Sequence, residues 1–332
     1  MSTSGVPADA LQAVRAARRI VIASHIPMDG DGLGTGLALM RALRPSKDAV
    51  HLVTPGYVPR VYTFLAGYDE IVKLGGDQPV PDCDLLLALD AGNAERLGRV
   101  LTDRPEGARV LNVDHHISNT LYGDVNWVDA AAGATAELGY LLLVELGVEI
   151  DAQAAQALLV ALVTDTGRFC YSSTRPRTLE IGAALLRLGA DPDTLNLHLY
   201  RSIPRGVLDL HARAVQRIAF HADGALALLT VEADFGSDLG VDEEDQKDLV
   251  DIPVSVEGVV VAGLFRGLKD GGTKVSLRSN SDAADVAAFA AACGGGGHVR
   301  AAGYPSAEGP AQTARAALKG LMQMAAAVSP GR

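Results

Sequence analysis

Three residues in 332 are cysteine, Cys83, Cys170 and Cys293, an odd number with no C-x-x-C pair. That excludes a disulfide framework and a cysteine-rich zinc site. Aromatic residues are also scarce, at 5% with a single Trp. Packing must therefore rest on aliphatic and small side chains. Positive charge is short: 29 Lys and Arg stand against 40 Asp and Glu, for a formal net charge of -11. A protein that grips long duplex nucleic acid by its phosphates carries a basic face, so no such partner is expected. An anionic substrate stays open, because bound metal ions can supply positive charge locally. No apolar run reaches the roughly 18 residues of a membrane span. The N-terminus has no signal-peptide pattern. The expected location is the cytoplasm, with no membrane partner.

What is present is a core-forming composition, 48% hydrophobic and 21% charged, in a chain long enough for two domains. Residues 18–25 and 49–53 read as strands. So do the continuous apolar runs "DLLLALD" (84–90) and "ARVLNVD" (108–114), as expected of strands covered on both faces. Helical patterns lie between them, at 34–44 and 93–101, and two more follow at 133–147 and 151–165. Strands alternating with helices predict an α/β fold, a doubly wound parallel sheet. After a loop at 166–180, a helix at 178–189 and a helical connector, the character changes at 216. Asp223-Gly224 and Lys269-Asp270-Gly271-Gly272 each separate two apolar runs, as hairpin turns do. A smaller α+β domain is expected there. The expected domains are 1–195, a connector over 196–215, and 216–330.

The chemistry-bearing residues fall at the carboxyl ends of the strands, where open parallel sheets bind ligands. The first strand ends at His25, with Asp29 and Asp31 in the following turn. Another ends at Asp90, and another at Asp114-His115-His116. Asp165 closes a helix in "VTDTGRF". Each alone has a plain structural reading: aspartates cap helices and turns, and paired histidines pack or face solvent. Brought to one sheet edge, however, these carboxylates and imidazoles would repel one another and need cations. Two divalent ions sharing a carboxylate form the usual clamp for phosphate-ester hydrolysis. An O/N donor set without thiolate suits Mn²⁺, Mg²⁺ or Fe²⁺ better than structural zinc. The first loop, "GDGLGTG", only loosely resembles a dinucleotide-binding turn, and its aspartates stand where a pyrophosphate would approach.

A second cluster is "CGGGGHVRAAG" (293–303), after a helix at 283–292. Its glycines allow close backbone approach and offer N–H groups to an anion. His298 and Arg300 add donors, as does Arg278 in "VSLRSN". The alternative is a flexible linker. The acidic stretch "DEEDQKD" (242–248) reads as a solvated helix face. His51, His198, His211 and His221 have no clustered partners and read as structural.

Over about residues 15–325 the order of these motifs resembles the DHH phosphoesterases that carry a DHH-associated, nucleotide-binding C-terminal domain. It is most similar to their bifunctional oligoribonuclease/pAp-phosphatase branch. The matching residues are Ser24-His25 with Asp29-Gly30-Asp31, Asp90 in "LALDAG", Asp114-His115-His116, "TDTGRF" at Asp165, "VSLRS" and "GGGGHVRAAG". The resemblance implies two divalent cations, Mn²⁺ first and Mg²⁺ or others as alternatives. One would be held by His25, Asp29 and Asp90, the other by Asp31, Asp90, His115 and Asp165. Asp114 would orient the imidazoles, and His116 would lie near the scissile phosphate as hydrogen-bond donor or proton carrier. Arg278, Ser279, Gly295, Gly296, Gly297 and His298 would hold the far end of the nucleotide. It implies hydrolysis of short oligoribonucleotides such as pApA to mononucleotides, or of pAp to AMP, by in-line attack of activated water, and a possible homodimer. Cyclic di-AMP, pyrophosphate or polyphosphate as substrate, and a non-catalytic nucleotide sensor, are the alternatives. Met28, Ala161 and Cys293 depart from the family pattern; none is an expected ligand.

Overall fold

A computed structural model describes residues 5–241 and 243–328. The chain divides into two compact units, Met1–Ser202 and Ile203–Arg332. The division falls inside the span read as a helical connector.

The first unit contains α1 (Ala8–Ala16), β1 (Arg19–Ser24), α2 (Gly30–Leu43), β2 (Ala49–Thr54), β3 (Val72–Lys73), β4 (Leu85–Leu89), α3 (Arg99–Thr102), β5 (Arg109–Asp114) and β6 (Val125–Val128). The helices α4 (Thr135–Leu146), α5 (Ala152–Asp165), α6 (Pro176–Arg187) and α7 (Pro192–Tyr200) complete it. Its six strands are all parallel, in the order β3-β2-β1-β4-β5-β6. The order reverses direction between β1 and β4, which makes the carboxyl ends of those two neighbours the ligand-binding crevice of such a sheet. Alternate residues of each strand feed two separate cores. Ile20, Ile22, Leu85, Leu87 and Leu89 join α2, α4 and α5 on one face. Val21, Ala23, Leu86 and Ala88 face the other, which explains why these strands read as unbroken apolar runs.

The helix expected over 93–101 is broken. A 3₁₀ turn covers Ala94–Leu97 and α3 is only four residues long, because Gly98 between them has φ +54°. The helix α2 lies very close to its neighbours. A Cβ on Gly34 would stand 2.4 Å from the carbonyl oxygen of Ala157 in α5, and one on Gly32 would meet Ser24 at the end of β1.

The second unit contains α8 (Arg205–Val215), β7 (Ile218–His221), β8 (Leu226–Val231), α9 (Glu243–Lys247), α10 (Asp251–Val254), β9 (Val261–Gly267), β10 (Thr273–Ser279), α11 (Val286–Ala292), β11 (Gly296–His298), β12 (Ala301–Ser306) and α12 (Pro310–Val328). Its mixed sheet runs β11-β12-β10-β9-β8-β7. Only β8 and β9 pair in parallel; the other neighbours are antiparallel. Both expected hairpins are there, β7–β8 turning through Asp223 and Gly224 at positive φ and β9–β10 turning at 268–272.

The end of the glycine run is not the flexible linker weighed as an alternative from the sequence. Gly296–His298 is an exposed edge strand paired with β12. Gly295 and Gly297 are needed there, since a Cβ would stand 2.1 Å from the Gly303 carbonyl oxygen and 2.5 Å from that of Ala301 respectively. In the acidic stretch, Asp242 lies outside the described residues. Gln246 is not solvated: it is buried and donates to the Phe235 carbonyl. Among the described residues no helix is long and apolar enough to cross a membrane.

Candidate active site

The end of β1 delivers His25 and the end of β4 delivers Asp90, side by side at the switch point. Asp90 is buried and has φ +54°. A non-glycine residue held in this region carries strain of order 1 kcal/mol or more and persists where its surroundings over-determine it. The turn aims the carboxylate across both neighbouring strand ends. Its Oδ2 lies 3.4 Å from His25 Nε2, and its Oδ1 lies 3.6 Å from His115 Nε2 and 3.6 Å from His116 Nδ1.

Asp29 and Asp31 enter at the start of α2. Asp29 is the N-cap: its Oδ1 accepts from the N–H groups of Asp31 and Gly32, both at 3.1 Å. Its other oxygen, Oδ2, lies 3.2 Å from His25 Nε2. Asp31 is buried. It accepts from the backbone N–H groups of Thr135, at 2.5 Å, and Ala136, at 2.9 Å, so the first turn of α4 holds it as helix N-termini hold anions. The end of α5 places Asp165 Oδ2 3.4 Å from His115 Nε2. Asp31 Oδ2 is 3.9 Å from the same nitrogen.

The two adjacent histidines are oriented by different partners. His115 Nδ1 lies 3.3 Å from the Ala132 carbonyl oxygen. Donation there turns Nε2 toward the carboxylates; the tautomer is assigned from these partners. His116 Nδ1 lies 2.7 Å from Asp114 Oδ1, and Asp114 Oδ2 accepts from Asn119 at 2.5 Å. The side chain of Asp114 therefore orients one imidazole, His116, and His115 is set by a backbone carbonyl. Thr135, Ala136, Ala132 and Asn119 were not singled out from the sequence. Three of them act through the backbone, and only the start of a helical pattern at Gly133 pointed toward α4.

Charge is out of balance in this cluster. Asp31 is pushed well above the usual carboxyl range, by burial first and then by Asp90 and Asp165. Burial likewise raises Asp165 to about 6, with His115 opposing. Asp90 is held well below its usual range; burial opposes this but the hydrogen bonds of His115 and His25 prevail. Burial disfavours charge on His25 and His115, yet their carboxylate neighbours push both up to about 10. The protein thus offers net negative potential that protons on imidazoles offset, and divalent cations suit it. The donor atoms form three compact groups, each within 4.8 Å: His25/Asp29/Asp90, Asp31/His115/Asp165 and Asp90/His115/His116. Oxygen and imidazole donors with no thiolate match a hard or borderline divalent ion.

The other residues singled out from the sequence lie in the second unit. Arg278 and Ser279 end β10. Arg278 Nε donates to Asp251 Oδ1 at 3.2 Å, and Ser279 Oγ donates to the Ser281 carbonyl at 2.8 Å. Ala301 of β12 is in register with Arg278 on one side and His298 on the other. Arg278 and His298 therefore share a sheet face two strand spacings, roughly 10 Å, apart. Gly296 lies beside them in β11 with open space around it.

A family model described as "DHH family, N-terminal domain" matches residues 19–162. The bifunctional oligoribonuclease and PAP phosphatase NrnA of Thermus thermophilus is 35% identical over 285 residues, covering 86% of this chain and 83% of that protein. The protein of the same name from Bacillus subtilis is 26% identical over 287 residues, covering 86% and 88%. A crystal structure of an exopolyphosphatase-related protein from Bacteroides fragilis superposes with a TM-score of 0.89 at 23% identity, covering 97% of each chain, and shows the same fold. With the matched domain carrying His25, Asp29, Asp31, Asp90 and the Asp114-His115-His116 run, and with identity extending over most of its length, the chain belongs to the DHH family.

Proposed function

We propose that the chain is a divalent-metal-dependent phosphoesterase that hydrolyses short oligoribonucleotides to mononucleotides and pAp to AMP. The observation that carries the reading is the position of Asp90, whose two oxygens face the histidines of two different donor groups, His25 and His115. One cation would be held by His25, Asp29 and Asp90 and the other by Asp31, His115 and Asp165, and Asp90, whose Oδ1 faces His115, would serve both. When bound, two such ions activate water at neutral pH and neutralise phosphoryl charge. Mn²⁺ is the proposed ion, on the mixed donor set.

The chain's own residues do the rest. Asp29 and Asp31 hold their geometry through backbone N–H groups that fix the carboxylates before any substrate arrives, which is the preorganisation that electrostatic catalysis needs. His116, with Nδ1 committed to Asp114, exchanges its proton at Nε2 and serves the leaving ribose oxygen. Arg278, Ser279, the glycine strand and His298 bind the distal phosphate and base, because a guanidinium and an imidazole on one face offer charge-assisted bonds to phosphate. The names of the relatives support oligoribonucleotides and pAp as the substrates.

The test offers purified protein pApA, pAp, a five-nucleotide RNA, cyclic di-AMP and pyrophosphate, with Mn²⁺ or with EDTA. AMP released from pApA, RNA and pAp, and abolished by EDTA, is the expected result. Phosphate from pyrophosphate alone, or no turnover at all, overturns the reading.

A further inference from the structure

A network of buried and half-buried polar side chains lies outside the metal donors, and its hydrogen bonds converge on one loop. The loop is 129–134, between β6 and α4. It supplies the Ala132 carbonyl that faces His115 Nδ1, and it leads directly into the N–H groups of Thr135 and Ala136 that hold Asp31. Glu137, in the first turn of α4, is 1% exposed. Its Oε1 accepts from Gly133 N at 2.9 Å and from Thr178 Oγ1 at 2.6 Å, and its Oε2 accepts from Arg177 Nε at 2.7 Å. The same guanidinium donates to Asp129 Oδ2 at 2.9 Å. Arg177, at the start of α6, thus ties the first residue of the loop to the helix that follows it.

We propose that Arg177 and Glu137 are positioning residues for one half of the metal centre, Asp31–His115–Asp165, and not for the other. The proposal rests on the two-cation reading above. The selectivity follows from the contacts. His25 and Asp29 are set by β1 and by the cap of α2, and share none of these partners. Asp90 meets the segment only at the Thr135 hydroxyl, 3.4 Å away. An ion pair that joins a buried carboxylate to a half-buried guanidinium contributes little net stability against an apolar replacement, whereas fixing the orientation of a metal-binding imidazole and carboxylate has a direct use.

The experiment titrates metal-stripped, full-length protein with Mn²⁺ by calorimetry, with electron paramagnetic resonance to distinguish a spin-coupled pair from isolated ions. Two variants are used, Arg177→Ala and Asp129→Asn; the second removes the charge that faces Arg177, keeps an oxygen for the Ala131 N–H that Asp129 Oδ1 accepts, and leaves the Arg177–Glu137 pair in place if the first does not fold. The wild type is expected to bind two ions as a coupled pair. Each variant is expected to lose about 10–100-fold in affinity for one ion, to keep the other within about twofold, and to lose the pair signal at two equivalents. Millimolar guanidinium should restore the pair in Arg177→Ala, whose site is partly open to solvent, while sodium chloride at equal ionic strength should not. Asp129→Asn with both ions unchanged, or with both weakened equally, overturns the positioning role and leaves the metal centre standing. A wild type that binds no Mn²⁺ overturns both.

Discussion

Asp29 divides two jobs between two oxygens, one capping α2 and one facing His25. A cap in a turn and a metal ligand are competing readings of its sequence context; the structure shows the cap, and it leaves Oδ2 facing His25, where the proposed cation would sit. The histidines set the pH response. With His25 and His115 pushed up to about 10, both rings carry protons at pH 7 in the metal-free chain. A folded pKa raised above the ordinary 6.5 adds stability that is complete below about 6.5 and is lost as pH rises toward 10. Metal ligation needs the neutral rings, so binding the ion pair at pH 7 should release both ring protons, together with any proton that Asp31 holds, and affinity should climb from pH 7 to 10. Calorimetry of Mn²⁺ binding in buffers of different ionisation enthalpy counts those protons; a count near zero would mean the rings are already neutral. Asp114 gives a second test at this scale. Asp114→Asn should cut turnover about 10–100-fold by releasing His116, while both Mn²⁺ ions still bind. Loss of an ion would instead make Asp114 part of the metal shell.

Elements were legible from the sequence where one period dominated. The strands β1, β4 and β5 are doubly covered, so their apolar runs are continuous and unmistakable. By contrast β3 is two residues long and β6, "VNWV", is too short to carry a pattern. The helix read over 93–101 failed at Gly98, whose positive φ no periodicity records. The donors to Asp31 were illegible for another reason. They are backbone amides some 104 residues away, and an amide has no letter of its own. What the sequence did carry is the identity of the strand-end side chains, because a parallel sheet gathers those ends by topology alone. The contact of α2 with α5 makes a testable case. Both helices carry cluster aspartates, Asp31 and Asp165, and Gly34 lets their backbones approach. Gly34→Ala should force them apart at about 1–3 kcal/mol, read by urea unfolding, and lower turnover as well. Gly75→Ala, exposed with open space around it, is the control expected to change neither.

For the whole molecule, the assignment of roles follows the division into units. Every cluster donor from His25 to Asp165 belongs to the first unit, and Arg278, Ser279 and His298 belong to the second. Each unit has its own sheet and its own cores, so a substitution confined to one should leave the other's structure intact. The two proposed tasks, activating water and holding the nucleotide, should then separate kinetically. Removing the guanidinium in Arg278→Ala, or the imidazole in His298→Ala, costs a charge-assisted bond to phosphate, of order 1.5–3 kcal/mol. KM for pApA should rise about 10–100-fold, with kcat at saturation changed far less and the Mn²⁺ stoichiometry unchanged. Asp90→Asn should do the reverse, losing the ion pair and turnover together, since it removes a carboxylate that faces both His25 and His115. A fall in kcat at constant KM for Arg278→Ala would place its guanidinium on the reacting phosphate in the transition state rather than on the distal one, and the separation of tasks by unit would fail at that residue.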